Sequence, residues 1–175
     1  LAERLKAANY STHAVVSAEV LNRRYNLTQG FDEYIDDLWE EEAPATFMIR
    51  DRPAQKTAKL VRESLERWNE QSAEKPKPFF MWMHLFDPHQ PWVADIPDKH
   101  LAPTPYDAEI GQADDGVESV IEWLREQGIL DNTLVIVTSD HGESLGEHGE
   151  QTHSIFVYDS TVKVPLIWRL PSQLP

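Results

Sequence analysis

Apolar residues fall at two different spacings along this chain, and the switches between them divide it into elements. Leu1 to Ala8 carries helical spacing and stops at Asn9, after which HAVVSA (13–18) reads as a short apolar strand. Residues 22–50 lose both periods, and YNLTQGFDEYIDDLWEEEAP reads as an irregular, acidic surface excursion with a few aromatic anchors. Asp51 ahead of Pro53 is a helix start, and Ala54, Ala58, Val61, Leu65 and Trp68 share one face of the helix it opens. That helix dissolves into the polar connection EQSAEKPKP.

FFMWMHLF (79–86) is apolar at almost every position, the pattern of a central strand covered on both faces. Prolines at 88, 91, 97, 103 and 105 make Asp87 to Pro105 a long loop. Tyr106, Ile110, Ala113, Val117, Val120, Ile121 and Leu124 then mark an amphipathic helix that stops at Gly128. Thr133 to Thr138 reads as the next buried strand and VPLIW (164–168) as another. This order predicts an α/β sandwich with a mostly parallel central sheet flanked by helices, in which ligands bind beyond the carboxyl ends of the strands. Two of those ends are chemically loaded: FFMWMHLF runs into Asp87-Pro88-His89, and LVIVTS runs into Asp140-His141-Gly142-Glu143. The two loops are expected to face one crevice.

Composition narrows the chemistry. With 175 residues and 41% hydrophobic content, the chain suits one domain with a real core. Thirty Asp and Glu against 16 Lys and Arg give a net charge of −14, which argues against a nucleic-acid partner because no basic stripe exists to neutralise phosphates. The absence of cysteine excludes disulfides and thiolate–zinc sites. No run approaches the roughly 20 apolar residues that span a bilayer. The sequence opens without an initiator Met or a leader, as though entered mid-fold, and a partial domain over 1–175, incomplete at its N-terminal side, is the expectation.

TSDHGESLGEHGEQTH (138–153) holds the densest chemistry. Asp140 and His141, adjacent at a strand end, can both point at one divalent cation, with Gly142 leaving the turn room to form. The competing reading makes Asp140 a helix cap, with Glu143 as its capping-box partner. His153 is close enough in sequence to return to the same loop and donate to a bound oxyanion. His89, between two prolines, has a constrained backbone suited to holding an imidazole at a site. His84 reads as a satisfied inner-wall residue and His148 as a turn residue, while nothing near His13 or His100 in sequence suggests chemistry.

KPFFMWMHLFDPHQPW, YDAEIGQADDGVESVIEWLREQGILDNTLVIVTSDHGESLGEHGEQTH and YDSTVKVPLIW, in that order, resemble the later part of the sulfatase-like family of the alkaline phosphatase superfamily. LAERLKAANYSTHAVVSAEVLNRRYNLTQGFDEYID resembles the family's segment downstream of its nucleophile, so the likeness covers essentially the whole chain. The resemblance implies a sulfuric ester hydrolase with an alkaline-phosphatase-like sandwich. Asp140 and His141 are similar to the family's second pair of metal ligands, around calcium first, with magnesium, manganese or zinc as alternatives. Sulfatases often have Asn where His141 stands. His89 is similar to the histidine that contacts the sulfate or phosphate group. His153 stands where many sulfatases carry Lys and phosphoethanolamine transferases carry His, and Lys163 where the family has Arg or Lys; for Lys163 a structural ion pair and a substrate contact are equal alternatives.

The family's nucleophile is a Cys or Ser converted to formylglycine in sulfatases, or a Thr or Ser in phosphotransferases. No Cys-x-Pro-x-Arg or Ser-x-Pro-x-Arg stretch occurs here, so formylglycine, if used, lies outside this chain and the 175 residues alone are expected to be inactive. A phosphoesterase or phosphoethanolamine-type transferase, or a non-catalytic binding module, are the alternative readings. The substrate expected is a sulfate or phosphate ester, and the location periplasmic, secreted or membrane-anchored.

Overall fold

A computed structural model describes residues 1–38, 51–72, 77–92, 103–153 and 155–173. The chain divides into two compact units, Leu1–Val120 and Ile121–Pro175. The acidic run 39–50, residues 73–76 of the polar connection, and residues 93–102 of the proline-rich loop, including His100, lie outside the described residues.

The first unit is built on a parallel sheet in the order β2-β1-β3. A short helix, α1 (Ala2–Ala7), ends as the sequence predicts, with Asn9 turning at a positive φ of 65°. It leads into β1 (Ser11–Val15), which pairs with β2 (Glu33–Ile35) on one side and β3 (Phe79–Met83) on the other. β1 is therefore the central strand, and Thr12 to Val15 are buried. The apolar run at 79–86 was the expected centre. Among the described residues its strand pairs only with β1, and each of its five positions is half-buried. Apolarity reports that a strand's faces are covered, not which neighbours flank it.

β2 lies inside the stretch expected to be irregular. Three residues are too few to display alternation, so the strand is invisible until its partner is known. Its middle residue, Tyr34, is buried and donates its hydroxyl to the Leu21 carbonyl at 2.7 Å. Ala14, Val16 and Tyr34 form one core face of the sheet, with Leu21, Phe31 and Trp82 packed against them. Burial pushes the Tyr34 hydroxyl up to about 12, with the Asp36 charge adding to it.

The opposite face belongs to α2 (Ala54–Ser72), whose buried residues Ala54, Thr57, Ala58, Val61, Ser64 and Leu65 recur at three- and four-residue intervals. Trp68 packs on Phe79 with ring centroids 4.7 Å apart. Asp51, expected to start this helix, instead bridges to Ala18, and the first helical amide is capped from far along the chain: Ala54 N–H donates to Asp87 Oδ2 at 2.8 Å. α3 (Pro105–Glu126) opens with a reciprocal box between Thr104 and Asp107 and ends with Gly128 at a φ of +69°.

In the second unit β4 (Val135–Thr138) pairs antiparallel with β5 (Leu166–Arg169). The expected buried strand is half-exposed: Ile136 is 48% and Trp168 55% accessible. Among the described residues each of these strands has one strand partner, the other. The short helix α4 (Asp159–Val162) precedes β5.

Candidate active site

β4 delivers the chain to Ser139, and the residues after it form a turn rather than a helix. Residues 141–144 have no regular structure, and the next helical residues are the single turn at Glu147–Gly149, so Asp140 caps nothing. The capping-box reading of Asp140 and Glu143 is therefore corrected. Asp140 Oδ1 accepts from the His141 N–H at 3.1 Å while its side chain stays 83% exposed.

His141 is oriented by its own turn. Its Nδ1 lies 2.7 Å from the Gly142 carbonyl, which can only accept, so Nδ1 carries a proton and, in the neutral ring, Nε2 the lone pair. Nε2 sits 3.9 Å from Asp140 Oδ1. Fixing the distal nitrogen through a backbone carbonyl is the arrangement seen behind metal-binding imidazoles. Gly142 makes the turn possible, because a β-carbon there would stand 2.1 Å from the Ser160 carbonyl oxygen. Its N–H donates to Thr161 O at 2.9 Å, seating the turn on α4.

His153 does return to this loop. Its ring stacks on His141 with centroids 4.0 Å apart. His153 Nδ1 lies 3.1 Å from Glu143 Oε1, whose side chain is only 6% exposed. Glu143 is thus the partner that orients His153, a role sequence spacing could not reveal, since the two residues are ten apart with an irregular loop between them. Ser144, fully buried, donates to the Glu150 carbonyl at 2.8 Å, and Glu150 Oε1 accepts from Ile155 N–H at 3.0 Å. These bonds close the loop on itself. His148 is a turn residue, as expected, with φ at 60° and its ring stacked on Tyr158. Lys163 pairs with Asp159 at 2.6 Å, both side chains being exposed.

His89 belongs to the first unit, after β3. Its ring stacks on Phe86 at 4.2 Å, its N–H donates to the Phe86 carbonyl at 2.9 Å, and its Nδ1 lies 2.6 Å from the Gln90 carbonyl. The Asp87–Pro88 and Gln90–Pro91 bonds on either side are both cis. Burial pushes the Asp87 carboxyl up; the Ala54 N–H pulls it down, while the charges of Glu109 and Asp51 add to the rise. Asp51 is also raised by burial, and the nearby His89 offsets part of that. His84 bonds Ser17 through Nδ1 at 3.1 Å, as a satisfied inner-wall residue.

Asp140 and His141 fit a divalent cation as a pair, since one carboxylate oxygen and one imidazole lone pair 3.9 Å apart can be spanned by an ion with bonds of about 2.0–2.6 Å. Two ligands are not a full set, and among the described residues no group of three or more His, Asp or Glu is placed to hold a metal. Among them, too, no helix is long and apolar enough to cross a membrane.

The α/β fold with its parallel sheet is alkaline-phosphatase-like, as its likeness to solved structures shows. The chain belongs to the sulfatase family, whose model, Sulfatase, matches residues 1–175. It is 36% identical over 69 residues to an N-acetylglucosamine-6-O-sulfatase of Bacteroides thetaiotaomicron, covering 39% of this chain and 12% of that protein. A protein solved in complex with its substrate D-glucosamine-2-N,6-O-disulfate superposes with a TM-score of 0.70 at 16% identity, covering 98% of this chain and 55% of that one. A protein of the alkaline phosphatase superfamily from Vibrio parahaemolyticus gives 0.64 at 17% identity, covering 96% and 40%. The chain thus spans about half the length of these solved relatives, and its match a smaller part of the curated one.

Proposed function

We propose that this chain contributes the second pair of metal ligands and the substrate-facing histidines of a sulfate-ester hydrolase acting on a sulfated amino sugar. The carrying observation is the Asp140–His141 turn, in which a backbone carbonyl fixes the imidazole tautomer and leaves the lone pair beside a carboxylate. Amino-sugar sulfates are the named substrates of two of the relatives, which supports that class.

Asp140 and His141 would hold the cation, calcium first and magnesium, manganese or zinc as alternatives. When bound, such an ion supplies positive charge against the sulfate oxygens. His153, its Nδ1 set against Glu143, would exchange a proton with an ester oxygen and, when protonated, donate to the departing one. His89 would present an N–H to a sulfate oxygen, its ring held by Phe86 and Gln90. Lys163 adds a cation whose present partner is Asp159. No residue of these 175 is assigned as the nucleophile toward the sulfate ester, so the chain by itself should show no sulfatase turnover.

The test is a titration of glucosamine-6-O-sulfate into the calcium-loaded chain, read on histidine ring nitrogen resonances. His89, His153 and His141 should shift, and Asp140→Ala should suppress the shift. Shifts confined to other histidines would contradict the proposal, and a stronger response to a phosphate monoester run in parallel would favour the phosphoryl relative instead.

A further inference from the structure

His13, which carries no chemical signal in the sequence, lies at the centre of a second polar relay in the first unit. Ser11 and His13 are two apart on β1 and so project to the same face of the sheet. Glu33 is the register partner of His13 across the parallel pair with β2. Ser64, on α2, closes over them and is fully buried. None of these residues is within the 138–153 loop or next to His89.

The direction of the protons is set by the partners. Glu33 is anionic: burial pushes its carboxyl up, but hydrogen bonds from Ser64, His13 and Arg67, with the Arg67 charge, hold it below the ordinary range. An anionic Glu33 accepts, so His13 Nδ1, 3.1 Å from Oε2, is the donor. Ser64 Oγ donates to the same Oε2 and lies 3.0 Å from Nδ1. In the neutral imidazole Nε2 of His13 is then the acceptor nitrogen, and Ser11 Oγ stands 2.8 Å from it. Hydroxyl, Nε2, Nδ1, carboxylate is the order of groups in a serine–histidine–acid nucleophile. His13 is 7% exposed and thus shielded, whereas Ser11, at the start of the strand, is half-exposed.

We propose that Ser11 is a base-activated nucleophile, and that this end of the sheet is an acyl-acceptor site for small activated carboxylic esters. Ser11 Oγ attacks the ester carbonyl carbon as its proton passes to His13 Nε2. The carbon–oxygen bond to the leaving group breaks, the leaving oxygen takes that proton, and Ser11 remains as an ester. The Ser11 N–H is already given to the Pro78 carbonyl at 2.8 Å, so it cannot serve an oxyanion. The expected reaction is therefore a slow acylation of Ser11, helped by the activated leaving group.

The experiment incubates the chain with p-nitrophenyl acetate, follows p-nitrophenolate release, and maps the adduct by peptide mass spectrometry. One acetyl group should appear on Ser11, faster than on the exposed Ser139, and be absent in Ser11→Ala. His13→Gln should slow it about 100-fold, the scale of a general base. Because His13→Gln removes a buried partner, circular dichroism checks its fold. Glu33→Gln, which keeps an oxygen acceptor for Nδ1–H, should also slow the reaction. Acetylation of Ser11 no faster than Ser139, or at an unchanged rate in either folded variant, would overturn the proposal.

Discussion

Gly142 stands so close to the Ser160 carbonyl that a β-carbon has nowhere to go. Gly142→Ala must push α4 and the Asp140–His141 turn apart, a backbone displacement costing on the order of 1–3 kcal/mol. Thermal unfolding should show that loss, and calcium affinity should fall with it although no ligand is altered. Asp87 makes a different prediction. Its carboxyl, raised by burial, binds its proton more tightly in the folded chain, so its stabilising contribution is complete below the unfolded value near about 4 and is lost as pH rises through the folded value. Asp87→Asn should flatten that part of the stability–pH curve while keeping an oxygen for the Ala54 amide; Asp51, raised in the same sense, leaves a residual slope. Asp87→Ala should flatten it equally and cost about 1 kcal/mol more through the lost cap. Denaturant melts of the three proteins between pH 4 and 8 separate these outcomes. The sequence marks Asp140, His141 and His153 because their residue types are those of metal and proton chemistry. It cannot mark Glu143 or His13, whose roles depend on which atoms the fold brings within 3.1 Å.

At the scale of elements, the helices are legible in the sequence and the sheet only partly so. α2 and α3 announce themselves through three- and four-residue periodicity, and the termini of α3 carry local punctuation in Thr104 and Gly128. Strand order has no such local signal. Among the described residues β1 is central and β3 flanks it, the reverse of what apolar density suggests, and β2 sits in a stretch whose composition reads as surface. What secures β2 is polar: buried Asp36, just beyond it, accepts from the Arg23 N–H and from the Arg23 side chain at 2.8 Å. Burial pushes Asp36 up, but these bonds overcome it and hold the carboxyl below its ordinary value. The stability it contributes is present above the unfolded value near about 4 and disappears as pH falls through the lower folded value. Arg23→Ala should cost on the order of 1 kcal/mol at neutral pH, discounted because the guanidinium is largely exposed, and the cost should shrink in acid melts. An equal cost at pH 7 and pH 2 would contradict this.

At the scale of the whole molecule, order along the chain is more readable than burial. The alternation of helix and strand predicts the α/β class, which the parallel sheet and flanking helices display. The apolar runs of β4 and β5 signal strands built for cover, yet Ile136, Leu166, Ile167 and Trp168 are exposed. Hydropathy records what a strand needs from its surroundings and not where that cover comes from. The net charge of −14 gives the molecule a field that attracts cations generally, so calcium binding has to be shown to be local. Calorimetric titration of calcium into the chain and into Asp140→Ala, at matched ionic strength, is the most direct test of the central claim. Removing one of two ligands should weaken calcium binding at least about tenfold, the scale at which even outer partners of a metal site act. Equal affinity in the two proteins would show that calcium reads only the overall charge, and that the Asp140–His141 turn is not a metal site.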